Sequence, residues 1–241
     1  MFFHTFCLTV GGPLGKWFAK LHETFIVNER YKLMLEGFRH TILITLGALC
    51  IGLVIGTLIA VVKYLAEDSP SLRPLAWLCN IYLTVIRGIP MVVLLLIFYF
   101  VILVSFEGVT VAIIAFGINS GAYMAELIRS GINAVDSGQM EAGRSLGMSR
   151  IQSMRVVVLP QAIRYILPAI FNELIALLKE TSVAGYVAVV DLTRAANLIR
   201  NNTYDAVNTL FLVALIYLVI IIFLEWLLSK LERRLSTRDK R

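Results

Sequence analysis

The sequence predicts an all-α integral membrane protein, and three observations carry the prediction. The chain of 241 residues is 59% hydrophobic and only 16% charged, whereas soluble domains give about a quarter of their residues to charge. Its mean hydropathy is +0.81, an apolar excess that a globule this small could not bury. Uncharged runs such as 41–62 are long enough to cross a hydrocarbon layer about 30 Å thick. The net charge of +6 does not point to nucleic acid, because the basic residues cluster beside apolar runs, where they set orientation in a membrane.

The first apolar run is TILITLGALCIGLVIGTLIAVV, residues 41–62. Ala48, Gly52, Gly56 and Ala60 recur every fourth residue along it and form one small-residue stripe, which admits a second helix at close range. Residues 63–74 follow as a polar turn holding Pro70 and Pro74. The second run, from Leu75 to Phe106, is interrupted by Arg87-Gly88-Ile89-Pro90, which should kink it. The third, 108–125, is less apolar, contains Asn119, Ser120 and Tyr123, and runs into Glu126 and Arg129. The fourth, 165–179, is broken by Pro168, Asn172 and Glu173, and the last is 206–224. This makes five spans, of which the third and fourth are weak. Polar groups inside lipid are expensive unless they face protein or water, so weak spans are where function is expected.

The tail after the fifth span carries six of the chain's 22 Lys and Arg residues and is expected in the cytoplasm, which places the N-terminus outside. One feature disagrees: Lys16, Lys20, Arg30, Lys32 and Arg39 would then lie outside as well. That segment reads as an amphipathic helix on the outer surface, or as an extra span. A cleaved signal peptide is not expected, because no basic residue precedes the short apolar start and no small-x-small site follows it.

Between the third and fourth spans lies EAGRSLGMSRIQSMRVVVLP, residues 141–160. Glu141 to Leu146 reads as a short helix that Gly147 ends in the left-handed conformation. Ser149 and Gln152 have capping-box spacing. They open a second helix, which should stop near Val158 because Pro160 follows. A helix–turn–helix at the membrane face, too polar to span it, suits docking against another protein.

The same stretch resembles the EAA loop of ABC-importer permeases, EAA-x3-G-x9-I-x-LP. Glu141, Ala142, Gly147, Leu159 and Pro160 match at full spacing, with Gly143 in place of the third alanine and Val157 in place of isoleucine. IRGIP (86–90), GAYMAELIRSGINAV (121–135), GQMEAGRSLGMS (138–149) and VLPQAIRYILPAIFNELIALLKETS (158–182) are similar to permeases for polar amino acids, the histidine, glutamine and arginine type. The resemblance covers roughly residues 31–235. It implies a type I importer fold with a core of about five transmembrane helices and a cytoplasmic coupling helix, working by alternating access. It also implies two permease subunits, as homodimer or heterodimer, two cytoplasmic ATPase subunits, and an extracytoplasmic amino-acid-binding protein. The setting is the bacterial cytoplasmic membrane, with its lipid as a further partner. This chain has no Gly-x4-Gly-Lys-Ser/Thr loop. ATP and magnesium therefore belong to the partner, and this subunit holds no cofactor or catalytic residue of its own. A permease for another small solute is the nearest alternative; an ion channel would need a selectivity-filter loop, which is not found. On this reading 1–35 form an N-terminal extension, 36–235 the permease domain with its coupling loop at 139–160, and 236–241 a basic cytoplasmic tail.

The resemblance assigns coupling to Glu141, Ala142, Gly143 and Gly147, with the small Ala142 and Gly143 admitting the ATPase surface. Arg144, Arg150 and Arg155 are read either as ion pairs to the ATPase or as the positive-inside bias. Glu173, with Asn172, is placed to receive a substrate ammonium or to pack helices by a hydrogen bond. Tyr123, Glu126 and Arg129 share one helical face and line the pathway or form a structural ion pair. Arg87 receives a substrate carboxylate or pairs with Glu126 or another acid. Lys179 to Ser182 form an outer gate, a contact with the binding protein, or a solvated helix end. His4, His22 and His40 lack zinc-ligand spacing, and Cys7, Cys50 and Cys79 read as small apolar residues, so no metal is expected.

Overall fold

The structure, a computed structural model, describes residues 13–236. The first twelve residues of the N-terminal extension and residues 237–241 of the basic tail lie outside the described residues.

The described chain is helical throughout. Helix α1 (Pro13–His22) leads through a π turn into α2 (Tyr31–Ala66), which runs unbroken across the boundary expected at 35/36. Then come α3 (Arg73–Gly88), α4 (Met91–Ile97), α5 (Gly108–Asn133), α6 (Ser137–Ser145), α7 (Arg150–Ser153) and α8 (Leu159–Glu180). Helices α9 (Leu192–Thr203) and α10 (Ala206–Ser236) complete the fold. Four helical runs are long and apolar enough to cross a membrane, and the α3–α4 pair makes a fifth if its two arms count as one span.

Helices α2 and α5 meet along the small-residue stripe, where Ala48, Gly52, Gly56 and Ala60 are all buried. A Cβ on Gly56 would lie 2.4 Å from the Met124 Cβ, and one on Gly52 would lie 2.8 Å from the Ser120 Oγ. The fit is reciprocal, since a Cβ on Gly117 would lie 2.7 Å from Ile51 and one on Gly121 would lie 2.8 Å from Ile55. Helix α5 is thus enclosed, and Gly131 extends the pattern, its missing Cβ making room for Ile166 of α8. By contrast α10 exposes Phe211, Leu215, Leu218, Ile222 and Phe223, an apolar outer face suited to lipid.

At Gly88–Pro90 the expected kink is a turn of 108° between α3 and α4. Ile89 is extended (φ −101°, ψ 129°), as the residue before a proline must tend to be. Leu94 N–H donates to the Pro90 carbonyl at 3.1 Å and so starts the new helix in its changed direction.

Pro160 does not end the helix that Ser149 opens. Residues 150–187 form one helical run. A π turn at Met154–Val158 lets the Leu159 N–H reach back to the Met154 carbonyl. Pro160 then falls in the first turn of α8, where a missing N–H is tolerated. The Gln161 side chain satisfies the Val157 carbonyl at 3.0 Å.

At the far end from α6 and α7, Asp191 is fully buried and caps α9 by accepting from Thr193 N–H at 2.8 Å and Arg194 N–H at 3.3 Å. Its carbonyl lies where a Cβ on Gly37 would sit, 2.7 Å away, so α9 lies directly on α2. Phe25 and Met34 join Leu192, Ala195, Ile199 and Val213 in one cluster that seats the N-terminal segment there. Asp205 caps α10 through Asn208 N–H at 3.2 Å and also accepts from Thr24 Oγ at 3.2 Å, with Lys20 Nζ 3.7 Å away.

Gly56→Val should destabilise the protein by about 2–3 kcal/mol, because backbone as well as side chain blocks the new atoms. Gly88→Ala, whose Cβ would meet nothing within 4 Å, should stay within about 0.5 kcal/mol. Thermal unfolding in detergent micelles compares the two.

Candidate functional site

Three groups of residues hold the expected functional side chains. The first is the α6–turn–α7 module. Helix α6 starts four residues earlier than the sequence suggests, at Ser137, because the Asp136 side chain caps it by accepting from Gly138 N–H at 2.6 Å. It ends in a Schellman motif: Gly147 N–H donates to the Arg144 carbonyl at 2.9 Å and Met148 N–H to the Gly143 carbonyl at 3.2 Å. Gly147 has φ +85° and open space around its missing Cβ, so backbone conformation and not crowding requires glycine. Ser149 and Gln152 form the expected capping box, with Ser149 N–H to Gln152 Oε1 at 2.8 Å and Gln152 N–H to Ser149 Oγ at 3.2 Å.

Glu141, Ala142 and Arg144 are exposed on this module, and Leu146 at its tip is 79% exposed. Gly143 is not on that surface. It is buried, and a Cβ there would lie 2.8 Å from the Ser153 Oγ. Its smallness lets α6 close on α7, not on a partner. Arg150 is also turned inward: its guanidinium bridges Glu67 and Asp68 at the end of α2 and lies 4.8 Å above the Tyr64 ring. Arg155 is exposed. Neither acid was singled out in the sequence, where they read only as a polar turn.

The second group lies at mid-depth in the bundle. Ser120 Oγ, fully buried on α5 beside Gly52, donates to Glu173 Oε1 on α8 at 2.9 Å. Glu173 is half-buried, and its other oxygen accepts no hydrogen bond from a described residue. Asn172 is exposed, consistent with adjacent helical residues facing different ways. The sequence signal for Ser120 was its place among the polar residues of the weak third span.

The third group lines an open cavity of about 510 Å³ between α2, α3 and α5. Arg87, Tyr123 and Glu126 come together there with Lys63, Asn80 and Thr84, which the sequence did not mark. Arg87 does not pair with Glu126. Its guanidinium lies 5.7 Å over the Tyr123 ring, while Glu126 is held by Arg129 at 2.7 Å. The expected ion pair on α5 is therefore present, at i,i+3 spacing. Glu173 does not line this cavity, so the expected pathway residues fall into two places. Lys179 is exposed at the end of α8, and the Thr181 hydroxyl donates to the Leu178 carbonyl at 2.8 Å.

A bundle of helices long and apolar enough to cross a membrane, with polar groups between them, a cavity between its spans and an exposed helix–turn–helix at one end, defines a membrane transport subunit. The chain belongs to the family described as the binding-protein-dependent transport system inner membrane component, whose model matches residues 52–237. It is 36% identical over 210 residues to the arginine transport system permease protein ArtQ of Bacillus subtilis (strain 168), covering 86% of this chain and 94% of ArtQ. It is 35% identical over 214 residues to the probable glutamine ABC transporter permease protein GlnM of the same organism, covering 88% and 97%. A crystal structure of an amino acid ABC transporter with histidines matches with a TM-score of 0.80 at 40% identity, over 87% of this chain and 98% of that one. The inward-facing methionine transporter MetNI shares the fold, with a TM-score of 0.72 at 21% identity over 85% and 97% of the two chains.

Gly147→Ala should cost about 1–2 kcal/mol in the turn, and Gly147→Asn less, because asparagine tolerates the left-handed region. The rate of limited tryptic cleavage at Arg144 measures this, and should rise more for alanine than for asparagine.

Proposed function

We propose that this chain is the translocating subunit of an ATP-driven importer for a polar amino acid. The observation that carries the reading is the exposed α6–turn–α7 module, fixed by a Schellman turn and a capping box at one end of a bundle with polar groups at mid-depth. The names of the relatives support amino acids over other solutes.

On this reading the α6–α7 end faces the cytoplasm and the α1–α9 end faces outward. The C-terminal end of α10 is then cytoplasmic and the N-terminal segment lies outside, in the bacterial inner membrane. Two ATPase subunits, which hold ATP and magnesium, dock on Glu141, Ala142, Arg144 and Leu146, and Gly147 shapes the turn they grip. A second permease subunit completes the pathway, and an extracytoplasmic binding protein delivers substrate. Glu173 offers its free oxygen to a substrate ammonium; Ser120 holds the carboxylate in place. Arg87, kept over Tyr123 and without an acid partner at contact distance, offers a guanidinium to a carboxylate, with Glu126 across the cavity. Asn172 borders Glu173 on the face left for the second subunit.

The complex reconstituted in liposomes with its binding protein should hydrolyse ATP faster with one or a few of the twenty amino acids. Glu173→Gln should cut that stimulation about tenfold, the loss of one charge-assisted contact, while copurification with the ATPase persists. Stimulation by a non-amino-acid solute alone would replace the substrate class. Glu141→Lys should abolish transport while the protein still inserts and dimerises; normal uptake would remove the module from coupling.

A further inference from the structure

The contact between Arg150 and the end of α2 is separate from every surface assigned above. Glu67 and Asp68 follow directly on the last turn of α2, where negative charge opposes the helix macrodipole. They do not serve the helix itself. One guanidinium answers both: each of its terminal nitrogens takes one carboxylate, and its face lies over Tyr64, one turn earlier on the same helix. Isolated surface ion pairs contribute little. Here a forked donor, two acids and an aromatic ring act together, and the Arg150 side chain is only 24% exposed.

An apolar contact also joins the module to the bundle: Met140 and Met154 pack against a cluster that includes Ala60 of α2 and Ile128 of α5. Helices α7 and α2 do not pack broadly on one another. Beneath the clamp lies an apolar cavity of about 410 Å³, bounded by Ala60, Tyr64, Ile151 and Met154. The polar clamp adds to that apolar contact a directional tie at the very end of α2. Arg150 sits at the first position of α7, immediately after the capped Ser149, so its backbone is fixed to the module.

We infer that Arg150, Glu67, Asp68 and Tyr64 form a latch that makes the coupling module and the α2–α3 turn move as one body. This rests on the reading of α6–α7 as the ATPase-docking module. Arg150 is then a positioning residue, not part of the docking surface. A push on the module reaches the bundle along the continuous α7–α8 run, through the apolar contact at Met140 and Met154, and across the latch into α2. From α2 it passes to α5 through the glycine seam, which is too tight to slip.

The test uses the full complex in liposomes with ATPase and binding protein, comparing amino acid transported per ATP hydrolysed. Arg150→Met, which keeps the stem, and the double change Glu67→Gln with Asp68→Asn should each lower that ratio at least about threefold, with ATP hydrolysis retained. Exchanging the charges, Arg150→Glu with Glu67→Arg, should restore it at least in part. A smaller drop in both single-side variants, or no recovery on exchange, overturns the latch. A second measurement needs no latch variant. Spin labels at Ser71→Cys and Val156→Cys, with the native cysteines replaced by serine, report the distance between the two bodies. It should stay within about 3 Å between nucleotide-free and ATP-bound states; a larger change overturns the proposal. If the unmutated complex moves no amino acid, the substrate reading fails, and the label distance still decides the latch.

Discussion

The close approach of α2 and α5 is the constraint on which the rest of the structure depends. In lipid no hydrophobic force drives two helices together, so their contact must come from packing and from polar groups between them. The interlocking glycines provide that packing, each leaving room for an Ile, Ser or Met on the other helix. With α5 buried against α2 on one side, α8 can close on its other side at Gly131 and Ile166. The surviving polar groups on α5 are then fixed in position. Ser120, whose hydroxyl lies where a Cβ on Gly52 would crowd it at 2.8 Å, bonds Glu173 on α8.

The same seam separates the polar groups of the bundle. One face of α5 holds the Ser120–Glu173 hydrogen bond, and the Tyr123–Glu126–Arg129 face opens to the cavity beside Arg87. Because Arg129 takes Glu126 locally, Arg87 is left over an aromatic ring with no acid at contact distance. Arg87 is exposed to the open cavity, so its guanidinium is accessible there. This is the physical basis for giving it a ligand.

The two ends of the bundle are built with similar devices for different purposes. At the far end, buried Asp191 and Asp205 cap helices and tie the N-terminal segment to α9 and α10. At the end formed by α6 and α7, Asp136 and Ser149 cap short helices that stay exposed. The first set makes a closed cap. The second leaves a stiff module on the surface, joined to the bundle by one continuous helix, an apolar contact at Met140 and Met154, and one polar clamp.

Much of this was legible in the sequence. The spans follow from apolar length, the α2 stripe from its four-residue spacing, and the Gly147 turn and the Ser149–Gln152 box from local chemistry. Each depends on residues within a few positions of one another, and backbone sterics decide them without help from the rest of the fold. Other outcomes needed the folded chain. Pro160 reads as a helix stop until the π turn absorbs its missing donor. Gly143 and Arg150 read as surface residues until Ser153 and the acids 82 and 83 positions earlier occupy them. Arg87 and Glu126 read as a pair until Arg129 proves nearer. Sequence spacing determines what a helix presents on each face, but only tertiary packing decides which partner is close enough to take it, because contact energies fall away within a few ångströms.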